Sequence, residues 1–395
     1  MQTYDVVIVG ARAAGAATAH LLARVGLRVL LVDRGRYGTD TLSTHALLRG
    51  GVLQLLRWGL LDRIVAAGTP PVRRTTFRYA DTVVPVDIKS SHGVDALYAP
   101  RRTVLDPILV DAAVESGVDV RFEVAVSDVE RDRRGAVTGV VGRTCDGRPF
   151  GARARVVVGA DGVRSTIAER VGAPFDRVGR SVAALTYGYW TGLADNGYEW
   201  NYRAGAASGA IPTNDGQACV FASATPRRIG RGGMDPLTRI VAESSPDLAA
   251  RLAAATPPRA LRTFTGRPGH IRRSWGRGWA LVGDAGYFKD PLTSHGLTDA
   301  LRDAELLARA IVAVVFDGAD ERDALADYQR TRDALSASFF DLTDVIAGHR
   351  WTDAEIPDLL RRANAATAGE VEALAALSPL HCGPAVTPLK GGAAP

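Results

Sequence analysis

Lysine is almost missing from this chain of 395 residues. Only Lys89, Lys289 and Lys390 occur; the rest of the 48 basic residues are arginine. Cysteine is equally scarce, and Cys145, Cys219 and Cys382 are odd in number and widely separated. A disulfide framework and a cysteine-built metal cluster are therefore not expected. Long apolar runs are lacking too. No stretch reaches the ~18 uninterrupted apolar residues of a membrane helix, and the segment from Ala308 to Phe316 is broken by Arg309. The opening M-Q-T-Y-D-V-V-I-V-G has no basic region before its short apolar run, so no signal peptide is expected. These absences point to a soluble, cytoplasmic protein without stable membrane association.

The formal charge is +5, from 48 basic and 43 acidic residues. Nucleic-acid binding needs a basic patch rather than a total. The arginines are scattered among acids, with no run of about five or more like charges, so a nucleic-acid partner is not expected. A composition of 46% hydrophobic and 23% charged residues is that of a globular protein. The length suits two or three packed units at roughly 100–200 residues each.

What is present begins at the first strand. Residues 4–9, Y-D-V-V-I-V, are β-branched and apolar, as a strand buried on both faces requires. Gly10 to Gly15 reads G-A-R-A-A-G, and a helical pattern follows to Arg24 with Gly26 as its stop. Residues 28–32, R-V-L-L-V, form a second strand ending at Asp33. Glycine turn, helix N-terminus and acid make a βαβ dinucleotide unit of about 30 residues. The helix N-terminus accepts a pyrophosphate, and the acid accepts ribose hydroxyls. One position departs from G-x-G-x-x-G: Arg12 stands at the middle glycine, where it either neutralises phosphate charge or faces solvent.

Two further motifs follow. Residues 156–165, V-V-V-G-A-D-G-V-R-S, run a buried strand into Gly159, Asp161 and Gly162, with a helix starting near Ser165. Residues 279–304, W-A-L-V-G-D-A-G-Y-F-K-D-P-L-T-S-H-G-L-T-D-A-L-R-D-A, give a strand, Asp284, a loop with Pro291 and a helix beginning near Gly296. That helix carries Leu297, Ala300, Leu301, Ala304 and Ala308 as one apolar stripe.

The three motifs, in this order and spacing, resemble those of the FAD-dependent aromatic hydroxylases (para-hydroxybenzoate hydroxylase-like) and geranylgeranyl reductase-like flavoproteins, over roughly residues 4–320. The resemblance implies an α/β fold. A Rossmann-type, glutathione reductase-like FAD-binding domain is interleaved with a mixed β-sheet substrate domain, and C-terminal helices follow. The implied boundaries are residues 1–71, 98–180 and 270–320 for the FAD-binding domain and 72–97 and 181–269 for the substrate domain. Residues 321–395 are the C-terminal helices and a Pro/Gly-rich tail. The cofactor implied is FAD, with NAD(P)H as reductant and a small molecule as substrate.

The resemblance also assigns residues. Gly10, Ala14 and Gly15 belong against the FAD pyrophosphate, Asp33 against the adenosine ribose, and Arg34 beside the adenine. Arg102, in R-R-T-V-L-D, is the family's arginine before a helix and contacts the pyrophosphate or ribityl chain, the alternative being an exposed side chain. Asp161 belongs to the D-G motif associated with FAD and nicotinamide nucleotide. Asp284 belongs at the ribityl or pyrophosphate portion. Gly296 and Leu297 open a helix whose N-terminus faces the flavin pyrimidine edge and favours negative charge there. His295 stands where the family usually has a second glycine, so substrate and reaction type stay open.

Residues 183–190, 198–203 and 219–224 read as strands, and alternation puts Tyr198, Trp200 and Tyr202 on one face. Tyr187, Trp200 and Tyr202 are candidate substrate-facing residues, with ordinary sheet core as the alternative. His45, in T-L-S-T-H-A, is a fourth candidate. No nucleophile–His–acid set is evident, so no catalytic side chain is assigned. The halogenase signature W-x-W-x-I-P is absent, with Tyr198-Glu199-Trp200 and Ile211-Pro212 in its place. The function expected is an FAD-dependent monooxygenase using NAD(P)H and O₂ on a small aromatic or polyketide-like molecule. The alternatives are a flavin-dependent C=C (prenyl-type) reductase and a non-catalytic flavin-binding protein. Oligomeric state is left open.

Overall fold

Val6, Val7 and Ile8 are fully buried, and they centre the strand Gln2–Val9 in a parallel sheet. Its neighbours are Val29–Val32 on one side and Pro149–Gly159 on the other, with Val6 opposite both Val29 and Val156. Asp119–Arg121 and Trp279–Leu281 extend the parallel set outward. A hairpin of Val124–Arg131 and Val137–Thr144 runs antiparallel off the first half of the long strand 149–159. The helix Ala13–Arg24, rich in alanine and buried along nearly its whole length, packs between Arg102–Glu115 and Gly296–Phe316. Small side chains permit that close three-helix layer. The structure, a computed structural model, describes residues 2–380; Cys382, Lys390 and the Pro/Gly-rich tail lie outside the described residues.

The chain leaves this sheet twice to build a second one. Its order is 262–264, 184–191, 217–224, 206–212, 198–203, 74–79 and 82–87. All pairs are antiparallel except Tyr198–Arg203 with Arg74–Tyr79, which run parallel because they come from the two separate excursions. The strand Ala206–Pro212 has a weak strand composition, and its neighbours explain that. A Cβ at Gly209 would lie 2.5 Å from the ring of Phe221, so small residues make room for aromatic ones. A third, small sheet joins Phe175–Val178, His270–Arg272 and Tyr287–Phe288.

The two faces of the second sheet are covered differently. One carries Trp190, Ala210 and Val220 against the helices Met234–Ser244 and Pro246–Ala254. The other carries Tyr187, Tyr198, Trp200, Tyr202 and Phe221 against Phe339, Leu342, Ile346 and Trp351 of the C-terminal region. Trp200 and Tyr202 therefore stand in packed core rather than facing a substrate. Trp200 meets Tyr198 and Phe221 and donates its Nε1–H to Thr75 at 3.0 Å, while Tyr202 meets Trp351 edge-on at 6.0 Å. Alternation did place the aromatics on one face. What fills the space above it are the helices Glu321–Ala347 and Ile356–Ala375 and the loop between them.

That packing predicts a large cost for Trp351→Ala. Loss of a buried indole should remove about 3–5 kcal/mol of stability, read as a lower urea midpoint at unchanged slope.

Candidate functional site

The glycine turn is closed by contact rather than by flexibility alone. Gly10 adopts φ +110°, and a Cβ there would sit 2.4 Å from the Ala160 carbonyl oxygen. A Cβ at Gly15 would lie 1.8 Å from the Gly10 oxygen. The helix Ala13–Arg24 then starts with no side-chain cap and no acid in its first turn. Its first N–H groups and positive end are left for an anion. Asp33 braces the turn, accepting from the Ala11 N–H at 2.7 Å and the Gly35 N–H at 2.6 Å.

Charge beside the turn favours the same ligand. Asp106, nearly buried, accepts from Arg102 at 2.9 Å through both oxygens and from Arg12 at 3.0 Å. One carboxylate between two guanidiniums leaves a positive charge next to the uncapped helix. Arg12 also donates to the Thr39 carbonyl at 2.8 Å. A cleft opens here between Ala11, Asp33, Val110, Tyr37 and Phe122, the last two meeting edge-on at 5.8 Å. These rings give a planar base an apolar seat. Arg36 lines the cleft, whereas Arg34 is exposed and lies outside the lining. The sequence reading missed Tyr37, Arg36 and Phe122. Their signal was position, since all three lie just past the carboxyl ends of parallel strands.

Asp161 has a different occupation from the one expected. Its carboxylate accepts from the Ser165 hydroxyl at 2.5 Å and from the Thr166 and Ile167 N–H groups at 2.6 and 3.2 Å. It caps the short helix Thr166–Arg170, so its oxygens are spent on the chain itself.

The third motif lies against the first. A Cβ at Gly283 would be 2.8 Å from the Ala14 Cβ and 3.8 Å from that of Ala300. This seats the half-buried Asp284 beside the glycine turn. Burial raises its carboxyl to about 6, and the Lys289 and Arg102 charges oppose that rise. Ser294 takes the left-handed φ of +52°, and the helix Gly296–Phe316 starts at His295 without a side-chain cap. Gly296 is exposed, with nothing within 4 Å of where its Cβ would be, and Leu297 is buried.

Under this turn lies a buried charge network. Arg302 pairs with Asp303 at 2.7 Å, Asp299 at 3.0 Å and Glu370 at 3.3 Å. Lys289 pairs with Asp299, and His295 with Glu370 at 3.1 Å. His295, Asp299 and Glu370 bring ligand atoms within 4.8 Å of one another. Lys289 and Arg302 already supply the positive charge such a trio needs, so it forms a salt-bridge network. Burial, followed by the Arg302 charge, lowers Lys289 to about 7.

His45 and Tyr187 sit on the sheet side. His45, at φ +49°, has its ring stacked on Tyr189 with centroids 5.6 Å apart. Burial, then the Arg101 charge, lowers it to about 3, so the imidazole is neutral. Tyr187 is buried, and its oxygen accepts the Ser43 N–H at 2.9 Å.

The uncapped helix starts, the excess charge around Asp106 and the aromatic cleft suit a dinucleotide. Among known proteins the match is direct. The chain belongs to the FAD binding domain family, whose model spans residues 3–343. Members of this family are oxidoreductase enzymes. It is 28% identical to digeranylgeranylglycerophospholipid reductase 2 of Methanothermobacter thermautotrophicus, over 82% of each chain. It is also 28% identical to the menaquinone reductase of Mycolicibacterium smegmatis, over 78% of this chain and 76% of that one. A 26% match to the 2,4-dichlorophenol 6-monooxygenase of Delftia acidovorans covers 44% of this chain and 32% of the other. In fold it resembles the flavin-dependent brominase Bmp2, with a TM-score of 0.79 at 21% identity over 95% and 93% of the two chains.

Two outcomes are expected. Gly15→Val forces a side chain into the Gly10 carbonyl and should weaken FAD binding more than about tenfold, measured by flavin fluorescence on titration. For Asp284 the folded pKa lies above the unfolded one. Its contribution is present below about pH 4 and lost as pH rises through about 6. Urea melts of flavin-free Asp284→Asn should lack that part of the decline.

Proposed function

We propose that this chain is an FAD-dependent monooxygenase that uses NAD(P)H and O₂ to oxidise a small, planar molecule at the junction between the two sheets. Bound FAD supplies electron transfer from the nicotinamide and activation of O₂. The protein's part is binding, orientation and exclusion of water. Gly10, Ala14, Gly15 and the first turn of Ala13–Arg24 hold the pyrophosphate, with Arg12 and Arg102 offsetting its charge. Asp33 reaches the ribose by exchanging its contact to Ala11, Tyr37 and Phe122 hold the adenine, and Asp284 holds the ribityl chain. The uncapped turn at Ser294–Leu297 offers N–H groups to the pyrimidine edge and favours negative charge on it. Arg34 and Asp161, committed to solvent and to a helix cap, are left out of this assignment.

The observation that carries a small substrate is the closed aromatic face of the second sheet. Trp351, Phe339 and Ile346 fill the space over Tyr198, Trp200 and Tyr202, so a long apolar chain finds no seat there. We place the small ligand at the sheet's other end, near His45 and Tyr189. The second reading, reduction of a C=C bond, is favoured by the names of the two 28% identical relatives, both reductases. Oxygen separates the two. With a panel of phenols and aromatic acids, substrate-stimulated NADPH oxidation should come with roughly equimolar O₂ uptake and an oxygenated product. Stimulated oxidation that persists without O₂ and saturates a C=C bond would favour the reductase, and no stimulation by any substrate would favour a flavin-binding protein without turnover.

A further inference from the structure

A polar cluster at the same junction lies apart from the residues proposed above to hold the dinucleotide. Its centre is Asp40, in the irregular segment between the strand Val29–Val32 and the helix Arg49–Arg57. Asp40 Oδ2 accepts from Arg101 at 3.2 Å and from Arg262 at 3.1 Å. Arg101 is the residue just before the helix Arg102–Glu115, and Arg262 opens the edge strand Arg262–Phe264. Three distant segments thus converge on one carboxylate oxygen. The other partners of Arg101 are neutral: Gln217 Oε1 at 3.1 Å and the face of Tyr189, whose centroid lies 3.6 Å from the guanidinium carbon. Two cations and one anion leave the cluster with a surplus positive charge.

Two orphaned polar atoms adjoin it. His45 is 2% exposed and stacks on the Tyr189 ring that Arg101 covers. Its Nδ1 lies 3.1 Å from the Ala99 carbonyl, which fixes the neutral tautomer with hydrogen on Nδ1. Nε2 then carries a lone pair, and neither it nor the Tyr189 hydroxyl has a hydrogen-bond partner. A buried polar atom left without a partner is costly. Two cations on one anion are not balanced by themselves, and the orphaned His45 and Tyr189 atoms lie beside that surplus charge. The Arg262 side chain is 39% exposed, which marks the side open to solvent.

We propose that Arg101, Arg262, Tyr189 and His45 form the binding site for a carboxylate-bearing small molecule, and that Asp40 occupies the carboxylate position in the ligand-free protein. The inference rests on the reading of this junction as the substrate site and names the chemistry of what enters it. The incoming carboxylate displaces Asp40 from both guanidiniums, whose planar donor arrays suit it. His45 Nε2 accepts from an O–H or N–H elsewhere on the ligand. Asp40 is a built-in competitor, so an uncharged molecule of the same shape does not displace it.

Calorimetric titration of the flavin-loaded protein with benzoate, benzamide and inorganic phosphate tests this. Benzoate should bind at least about tenfold tighter than benzamide, the scale of a hydrogen bond to a charged group. Arg262→Gln should weaken benzoate about tenfold, and Asp40→Asn should tighten it by a similar factor, with the FAD-to-protein ratio unchanged in both. Opposite signs are what a merely structural triad does not give. Equal affinity for benzoate and benzamide, or weakening by both variants, overturns the site. Phosphate binding as tightly as benzoate overturns the carboxylate assignment. Arg262→Gln, on a half-exposed edge strand, decides the matter even if Asp40→Asn fails to fold. Loss of FAD from the wild-type protein would instead sink the flavin reading, and absorbance of the same preparation separates the two failures.

Discussion

The close approach of Ala14, Gly283 and Ala300 is the constraint on which the nucleotide cleft depends. Gly283 is wedged between the first turns of the helices Ala13–Arg24 and Gly296–Phe316, and a Cβ there would collide with Ala14 at 2.8 Å. Only small side chains let two helix N-termini start so near each other. Both starts lack capping side chains. Two sets of free N–H groups, each with the positive end of a helix dipole, are thereby gathered at one sheet edge. An anionic cofactor answers that arrangement better than water does.

The same helix start is held from below by charge. Arg302, Asp303, Asp299, Lys289, His295 and Glu370 are all almost fully buried and bonded to one another. Burying this many ionisable groups is costly, and their attraction offsets the cost only when geometry is good and every member is present. Glu370 belongs to the last described helix, and its Oε1 would lie 2.9 Å from a Cβ at Gly50. Gly50 and Gly51 thus leave room for the carboxylate and for Thr298, tying the C-terminal helix to the turn at Ser294–Leu297.

How much of this was legible in the sequence follows from how local each signal is. The strand–turn–helix units at residues 2–32 and 279–316 were readable because glycine, acid and helix stripe lie within a few turns of one another. Ala206–Pro212 was missed, as its small residues serve Phe221 on the neighbouring strand rather than their own strand propensity. Trp200 and Tyr202 were read onto one face, as a substrate wall or as sheet core, and the structure packs them as core. Alternation fixes which side of a sheet a residue takes, and what covers that side comes from about 140 residues later in the chain. Asp161 looked like a ligand-binding acid because a motif does not reveal that Thr166 and Ile167 already use its oxygens.

By itself, then, the sequence determined the cofactor class, since pyrophosphate binding needs a short contiguous device whose residue types are dictated by backbone sterics. The interleaving of two sheets was implied by the family resemblance that the three motifs carry. The tertiary structure alone decided which charges meet. Arg302 and Glu370 are 68 residues apart, and Asp40 and Arg262 are 222 apart. Electrostatic pairing depends on distance through space and on burial, and neither quantity is written in the order of residues.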